Sequence, residues 1–321
     1  MNKRFFEKGI ALLLALTMCF GLGCAEKNDT RTIAGYAMEP SEGTYAYVIH
    51  TPHATWHLAA ADIELLGEEK FFEGLERILE NQEADFSDAI AALDGYLDEV
   101  PVIDIYTDFS GRTEEAKLGI FGAYCRWNVP CIEVYQPDGA FVALLHEYVH
   151  YLTHCCMPCK IDGSFWSEAI AEYVSMFVCK NRMLCSMFTE KARTVYAEHG
   201  FADGDGDPDL KKIYCAAAAA FRDGSMIGQS FTVVSQASVQ MTERMVEHPM
   251  LTMLSYQEAV CFFDWLVARY GKDLVFANMT IGQGGFRDVF GEDFETLFFA
   301  WAVDNQAFCE ENGLDWSIWG N

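Results

Sequence analysis

The first half of the chain mixes two hydrophobic spacings, and the second half shows only one. Short runs of aromatic and β-branched residues predict strands at residues 45–50, 102–106 and 131–135. Apolar positions three and four residues apart predict helices at residues 55–80, 88–97, 141–152, 167–180, 190–199, 210–222, 256–270 and 294–308. This order favours an α+β fold, in which a small mixed sheet with helices precedes a mostly α-helical carboxy-terminal part.

A separate pattern marks the amino terminus. Lys3, Arg4 and Lys8 precede an apolar stretch at residues 9–20, which is too short to span a bilayer as a stable anchor. Positive charge followed by a short apolar stretch is typical of a signal peptide, which we place at residues 1–23.

The end of this segment, Gly21-Leu22-Gly23-Cys24, resembles the lipobox of bacterial lipoproteins. The resemblance implies that Cys24 is lipidated and anchors an extracytoplasmic protein to the bacterial cell membrane, with residues 24–44 as a tether. The usual leucine three positions before the cysteine is replaced by Gly21, so ordinary secretion is the alternative. Beyond the tether we divide the chain into an α+β lobe at residues 45–160 and a helical lobe at residues 161–321.

Composition and charge narrow the possible functions. Hydrophobic residues make up 51% of the chain, which is enough for a packed core, and the formal net charge is −26. Without residues 1–23 the chain loses three basic residues and one acidic residue, and the charge becomes −28. Such a surface repels nucleic acid phosphates and anionic lipid headgroups, so the sequence argues against nucleic-acid binding.

The sequence His-Glu-Tyr-Val-His occupies residues 146–150, inside a strongly apolar predicted helix. Four residues correspond to about one helical turn, so His146 and His150 lie on one face and can bind the same cation. Glu147 lies about 100° around the helix, where it can act as a general base on metal-bound water without binding the metal. A chance match on a buried helix is the alternative. The preceding strand and turn and the apolar opposite face favour a catalytic zinc site.

A catalytic zinc ion takes three protein ligands and keeps one open position. His154 falls a further turn along the same helix, too far to complete a tetrahedron. The segment Trp-Ser-Glu-Ala-Ile-Ala-Glu-Tyr at residues 166–173 predicts a second helix that opens at Ser167. It presents one carboxylate, Glu168, in its first turn and another, Glu172, one turn later. We therefore expect the third ligand in this segment.

These two segments together resemble the gluzincin zinc peptidases, the group of thermolysin and the aminopeptidase N-like enzymes. In that group a glutamate near the start of the second helix completes the zinc site. The resemblance implies a thermolysin-like catalytic core with Glu168 as the third ligand and Glu172 as a partner of a histidine ring nitrogen. The main departure is Ala169, which stands where the family usually has glycine.

A weaker likeness to the same family lies further along the chain. Residues 254–259, Leu-Ser-Tyr-Gln-Glu-Ala, are similar to the region of the catalytic tyrosine in aminopeptidase-like members. The hydroxyl of that tyrosine donates to the oxyanion of the tetrahedral intermediate. The resemblance implies this role for Tyr256, and a structural aromatic residue at a helix start is the alternative.

The resemblance as a whole implies a peptidase that uses one zinc ion and acts on a peptide or protein substrate. Glu147 would take a proton from water and pass it to the leaving amine. We expect an extended peptide to pair with the strand at residues 131–135, as an edge of the sheet. The segment that binds the substrate amino group in aminopeptidases is absent between Tyr106 and His146, which argues against an aminopeptidase. A non-catalytic zinc-binding lipoprotein is the main alternative, although a structural site has no use for a base.

Ten cysteines follow Cys24, and three of them, Cys155, Cys156 and Cys159, lie directly after the metal-binding helix. Disulfides that fix this loop are one interpretation. A second metal site that includes His154 and a redox-active pair are the others.

Residues 203–209 imitate the start of a calcium-binding loop. Pro208 stands in the sixth place instead of glycine, and Tyr214 stands in the twelfth place instead of glutamate. We therefore expect a solvated acidic turn there, with calcium binding as the alternative.

Overall fold

The structure is a computed structural model that describes residues 31–108, 123–134, 140–161, 163–186, 188–204, 206–220 and 249–314. The predicted signal peptide and Cys24 lie outside these residues. Among the described helices, none combines the length and the apolar character that crossing a bilayer requires.

Seven strands form one mixed sheet in the described residues, in the order β1-β2-β3-β4-β5-β7-β6. The strands are β1 Thr32–Ile33, β2 Tyr36–Pro40, β3 Tyr45–His50, β4 Ala54–Ala59, β5 Ile103–Thr107, β6 Ala123–Arg126 and β7 Cys131–Val134. Strands β1 to β4 are antiparallel, β4 and β7 are each parallel to β5, and β6 is antiparallel to β7. The predicted α+β class is confirmed, with a mixed sheet in the first part of the chain.

The sheet begins earlier in the chain than the sequence predicted. β1 and β2 fall in the segment assigned to the tether, and Ile33 and Met38 are buried there. A helix was predicted at residues 55–80, but residues 54–59 form strand β4, so the predicted start of that helix was wrong. Its side chains alternate between buried and half-buried, and it pairs with both β3 and β5. Pairing with two neighbouring strands overrides the helical pattern predicted from residue 55 onwards.

Helices α1 (Ala60–Leu66) and α2 (Glu68–Ala92) connect β4 to β5. Helix α2 buries one stripe of residues, and Trp56 of the sheet donates from Nε1 to Gln82 Oε1 on this helix at 2.7 Å. The face of the sheet that carries Trp56 is therefore covered by α2. The separate helix predicted at residues 88–97 is the end of α2, followed by a turn.

The described residues from 140 onwards form helices and loops. The two helices that carry the histidine and glutamate motifs are α3 (Ala140–Tyr151) and α4 (Ser164–Glu172). Each continues as a π-helical turn, at Leu152–Cys156 and at Tyr173–Val178. The later helices are α5 Arg182–Ser186, α6 Glu190–Glu198, α7 Leu210–Ala220, α8 Pro249–Tyr270, α9 Lys272–Phe276, α10 Phe286–Phe290 and α11 Phe294–Glu311, with a 3-10 turn at Gln283–Gly285.

The two π-helical turns share a local feature. Thr153 Oγ1 donates to the carbonyl of Val149 at 2.9 Å, and Ser175 Oγ donates to the carbonyl of Ala171 at 2.6 Å. Hydroxyls that bond to the carbonyl four residues earlier compete with the regular helical hydrogen bonds. Widened turns of this kind are frequent at functional sites, and here both follow the helices that build the candidate site.

Helix α3 lies between the β6–β7 hairpin on one side and α2 and α4 on the other. Tyr148 of α3 stacks on Phe86 of α2 with 3.7 Å between the ring centroids. One connected hydrophobic core extends from Ile33 to Leu314. The two lobes expected from the sequence therefore share their interior, and the candidate site lies where α3 meets α4.

Candidate metal centre

Helix α3 presents His146, Glu147 and His150 together, as its period predicts. Their exposed fractions are only 7%, 9% and 4%. Their potential ligand atoms all lie within 4.8 Å of one another. A buried group of this composition could hold a metal ion.

Helix α4 brings Glu168 against both histidines. Its Oε2 lies 3.0 Å from His146 Nε2 and 3.2 Å from His150 Nε2, so three potential ligand atoms converge. Helix α4 begins at Ser164 rather than at Ser167, and Glu168 therefore lies beyond its first turn. The geometry places Glu168 where the sequence expected the third ligand.

The same contacts shift the proton equilibria of the converging groups. Burial by itself lowers the pKa of His146, but hydrogen bonds and charges from Glu168 and Glu172 outweigh it and raise that pKa well above 6.5. Burial by itself raises the pKa of Glu168, but His150 and His146 hold it well below 4.5. The carboxylate of Glu168 is therefore ionised and attracts positive charge to the point where the three atoms meet.

Glu147 lies beside this convergence, within 4.8 Å of the histidine nitrogens, and is also hydrogen-bonded to the sheet. Its Oε2 accepts a hydrogen bond from the backbone N–H of Cys125 in β6 at 2.7 Å. Burial raises the pKa of Glu147, and the neighbouring His150 and His146 oppose this only in part. A carboxylate with a raised pKa is a better proton acceptor than an ordinary glutamate, because its charged form is less stabilised by water.

The outer nitrogen of His146 faces a carboxylate, as expected from the sequence. His146 Nδ1 lies 3.1 Å from Glu172 Oε1 in an ion pair. Tyr214 of α7 also lies near Glu172, and burial together with this carboxylate raises the pKa of Tyr214 well above 10.0. The sequence did not assign a role to Tyr214, which was considered only as a failed calcium ligand.

Tyr256 lies beside the site, with 6.2 Å between its ring centroid and that of His146. Burial raises its pKa well above 10.0, and so do the charges of Glu168, Glu172 and Glu147. The helix that carries Tyr256, α8, begins at Pro249, so the tyrosine is not at a helix start. Its hydroxyl stays protonated over the physiological range and can act as a hydrogen-bond donor.

A second set of contacts on the outer side of His150 was missed from the sequence. Ser167 Oγ lies 3.2 Å from His150 Nδ1 and 2.8 Å from His154 Nε2. The ring of Trp127, in the turn between β6 and β7, stacks on His154 with 4.1 Å between centroids and 13° between planes. His154 therefore lies beside His150 and outside the convergence of His146, His150 and Glu168. The only sequence signal for this contact is the spacing of four residues between His150 and His154.

The cysteine loop shows neither a disulfide nor a cluster of metal ligands. All ten described cysteines are free thiols, so the expectation that disulfides fix the loop is not met. Cys155 is exposed, Cys156 is buried and Cys159 is partly buried. Within the described residues none of the three joins a group of ligand atoms close enough to hold a metal ion.

The segment at residues 203–209 is an acidic turn in its described part, with Asp205 outside it. Asp203 accepts from the backbone N–H of Asp207 at 2.9 Å, and Asp207 pairs with Arg193. Asp209 caps helix α7 by accepting from the N–H of Lys212 at 3.1 Å. These carboxylates are already engaged in capping and ion pairs, as expected for a solvated turn.

Comparisons of the chain with protein-family models, with curated proteins and with solved structures find no match. The site therefore stands on its own geometry. What that geometry establishes is a His-Glu-x-x-His group in a buried helix that could hold a metal ion, within a mixed α+β protein.

Proposed function

We propose that this protein is an extracytoplasmic zinc-dependent peptidase of the gluzincin type. The observation that carries the proposal is the convergence of His146 Nε2, His150 Nε2 and Glu168 Oε2. Glu147 lies beside them on helix α3 and accepts a hydrogen bond from Cys125 in β6. Three protein ligands and a separate carboxylate are the arrangement of a catalytic zinc site, whereas a structural site is normally closed by four ligands.

The donor atoms fit a zinc ion. Zinc binds imidazole nitrogen and carboxylate oxygen at about 2.0–2.2 Å, so ligand atoms at tetrahedral angles lie about 3.4 Å apart. The distances of 3.0 and 3.2 Å from Glu168 Oε2 to the two histidines differ from this value by only a few tenths of an ångström. Small side-chain adjustments would therefore accommodate the ion.

Zinc, when bound, supplies Lewis-acid polarisation of a carbonyl group and lowers the pKa of water. The protein supplies the base. One oxygen of Glu147 accepts the N–H of Cys125, and the other is left to take a proton from water and deliver it to the leaving amine. The raised pKa of Glu147 suits both halves of this transfer.

Tyr256 and the sheet would complete the substrate site. The tyrosine hydroxyl stays protonated and would donate to the developing oxyanion. The peptide strand was expected to pair with residues 131–135, but β7 lies between β5 and β6 and has no open edge. Among the described strands, β6 is the edge next to α3, so we expect an extended peptide to add there.

The deciding experiment compares the wild-type protein with Glu147→Gln, each loaded with one zinc ion, on a mixed peptide library analysed by mass spectrometry. Glutamine keeps the size of the side chain and its contact with Cys125 but cannot act as a base. We expect hydrolysis to fall by at least about 100-fold at unchanged zinc content. Peptides with a blocked amino terminus, included in the same library, distinguish endopeptidase from aminopeptidase action.

Equal hydrolysis by the two proteins would overturn the peptidase proposal and leave the alternative, a zinc-binding lipoprotein without catalysis. Chelation provides the matching control, because removal of zinc should abolish hydrolysis and added zinc should restore it. The proposed anchoring through Cys24 is tested separately, by mass spectrometry of the mature amino terminus from cells that express the full chain.

A further inference from the structure

Two consecutive residues hold the ring of His150 from opposite sides. Glu168 Oε2 lies 3.2 Å from Nε2 of this ring, and Ser167 Oγ lies 3.2 Å from Nδ1. Ser167 is buried, with 4% of its surface exposed. Both ring nitrogens of His150 therefore contact side chains of helix α4, and Ser167 is the partner on the outer side of the ring.

Hydrogen-bond roles follow from the requirement that Nε2 of His150 offers a lone pair to a metal ion. The proton of the neutral ring must then be on Nδ1, which donates to Ser167 Oγ. The serine hydroxyl has a single proton of its own, and the atom positioned to accept it is His154 Nε2 at 2.8 Å. His150 therefore donates to Ser167, and Ser167 donates to His154.

The position of His154 is itself supported by two elements. The residue lies in the π-helical turn Leu152–Cys156, and its ring is covered by Trp127 at 4.1 Å between centroids. Its Nε2 lies 2.8 Å from Ser167 Oγ, and in a neutral ring this nitrogen can accept the serine proton.

We propose that His154 is a positioning residue for the metal centre, acting on His150 through a hydrogen-bond relay in which Ser167 is the middle member. Trp127 stacks on the ring of His154, which limits the rotation of that ring and keeps Nε2 directed at Ser167 Oγ. This inference rests on the metal site of the proposed function. It concerns the affinity for the ion rather than the chemistry of hydrolysis, so it can be tested without a peptide substrate.

Zinc affinity, measured by competition with a chromophoric chelator, tests the relay directly. In His154→Phe the ring can still stack on Trp127 but has no acceptor, and we expect the zinc dissociation constant to rise about tenfold. His154→Gln keeps an acceptor oxygen near the position of Nε2 and should restore most of the affinity. Ser167→Ala should weaken binding by about 10- to 100-fold, because it removes the partner of His150 itself.

A matched control is available on the sheet. His57 also stacks on an aromatic ring, that of Tyr106 at 4.5 Å, and also forms a hydrogen bond, to Asp104 at 2.8 Å. His57→Phe therefore removes the same type of contact away from the centre and should leave zinc affinity unchanged. Because His154 acts only through Ser167, the double variant should bind zinc no more weakly than Ser167→Ala alone.

A measurement on the wild-type protein keeps the inference testable if a variant does not fold. Two-bond proton–nitrogen correlation spectra show which ring nitrogen carries the proton. The relay requires His150 and His154 both to be protonated on Nδ1. A proton on Nε2 of His154 in the wild-type protein would overturn the relay.

Other outcomes separate this inference from the proposed function. If the wild-type protein binds zinc and His154→Phe binds it equally tightly, or if the two substitutions are additive, the relay is wrong and the metal site stands. If the wild-type protein binds no zinc, both are wrong. A protein that binds zinc and shows the expected changes in affinity, but hydrolyses no peptide, would retain the relay and lose only the peptidase activity.

Discussion

The two histidines of the candidate centre are held at their outer nitrogens by groups of different charge. Nδ1 of His146 faces the carboxylate of Glu172 at 3.1 Å, whereas Nδ1 of His150 faces the hydroxyl of Ser167 at 3.2 Å. A carboxylate partner raises the basicity of an imidazole and strengthens it as a ligand. At the scale of single residues, Glu172 is therefore expected to matter more for metal affinity than its distance from the ion would suggest.

Glu172→Gln tests this expectation, because it removes the charge and keeps the shape. We expect the zinc dissociation constant to increase by about 10- to 100-fold, measured by competition with a chelator. Glu198→Gln is the control. Glu198 is an exposed residue of α6, so its substitution removes one negative charge from the surface, away from the metal centre. Equal zinc affinity of Glu172→Gln and the wild-type protein would contradict the interpretation of Glu172 as a partner of His146.

Residue-level predictions from the sequence succeeded where a helix sets the geometry. His146 and His150 share a face because four residues make about one turn, and this holds in any context. Ser167 and Tyr214 could not be assigned, because each acts on a residue of another element. Nothing in the local sequence indicates that α7 packs against the end of α4.

At the scale of elements, the edge strand β6 orients the proposed general base. The backbone N–H of Cys125 donates to Glu147 at 2.7 Å, which ties the sheet to helix α3. The strand thus has two roles in the proposal, since its edge would also accept the substrate. Glu147 and the substrate would then both be hydrogen-bonded to β6, which fixes their relative position.

Cys125→Pro removes this N–H, and Cys125→Ala keeps it while also losing the buried thiol. Hydrogen bonds to charged groups contribute about 1.5–3 kcal/mol, so we expect peptidase turnover of the proline variant to fall about 10- to 100-fold below that of the alanine variant. Zinc content, measured on the same samples, should be equal in both. Equal turnover of the two variants would show that this hydrogen bond does not position the base.

Element-level predictions from the sequence were wrong where a strand carries a helical spacing. Residues 54–59 form β4, although Leu58 fits the apolar spacing of the helix that follows. The same limit applies to β7, which was expected at an edge and lies inside the sheet. Strand order depends on which distant segments pair, and the local pattern does not contain that information.

At the scale of the whole molecule, the buried thiols make stability depend on alkaline pH. Burial raises the pKa of Cys179 from 9.0 to about 12 and that of Cys309 also to about 12. Buried tyrosines such as Tyr148 and Tyr151 have raised pKa values for the same reason. In the unfolded chain these groups would ionise at their ordinary values, so the two states bind different numbers of protons above about pH 9.

A group whose folded pKa is raised contributes stability that is present below its unfolded pKa and is lost as pH rises towards the folded value. We therefore expect the free energy of unfolding, measured with urea under a reductant at about pH 7, 9 and 10.5, to fall between the last two. Each such group contributes at most about 1.4 kcal/mol per pH unit. Cys179→Ser should make the decline shallower. A constant free energy up to about pH 10.5 would contradict this prediction.

The sequence alone determined the elements whose geometry is local. The period of an α-helix places His146 and His150 on one face, and alternating apolar residues marked strands β3, β5 and β7, although β1, β2, β4 and β6 were not predicted. Only the tertiary structure decided that Glu168 meets both histidines, that Ser167 lies between His150 and His154, and that β6 is the outermost described strand beside the site. These contacts join residues far apart in the chain, so they depend on the packing of whole elements and not on the spacing within one.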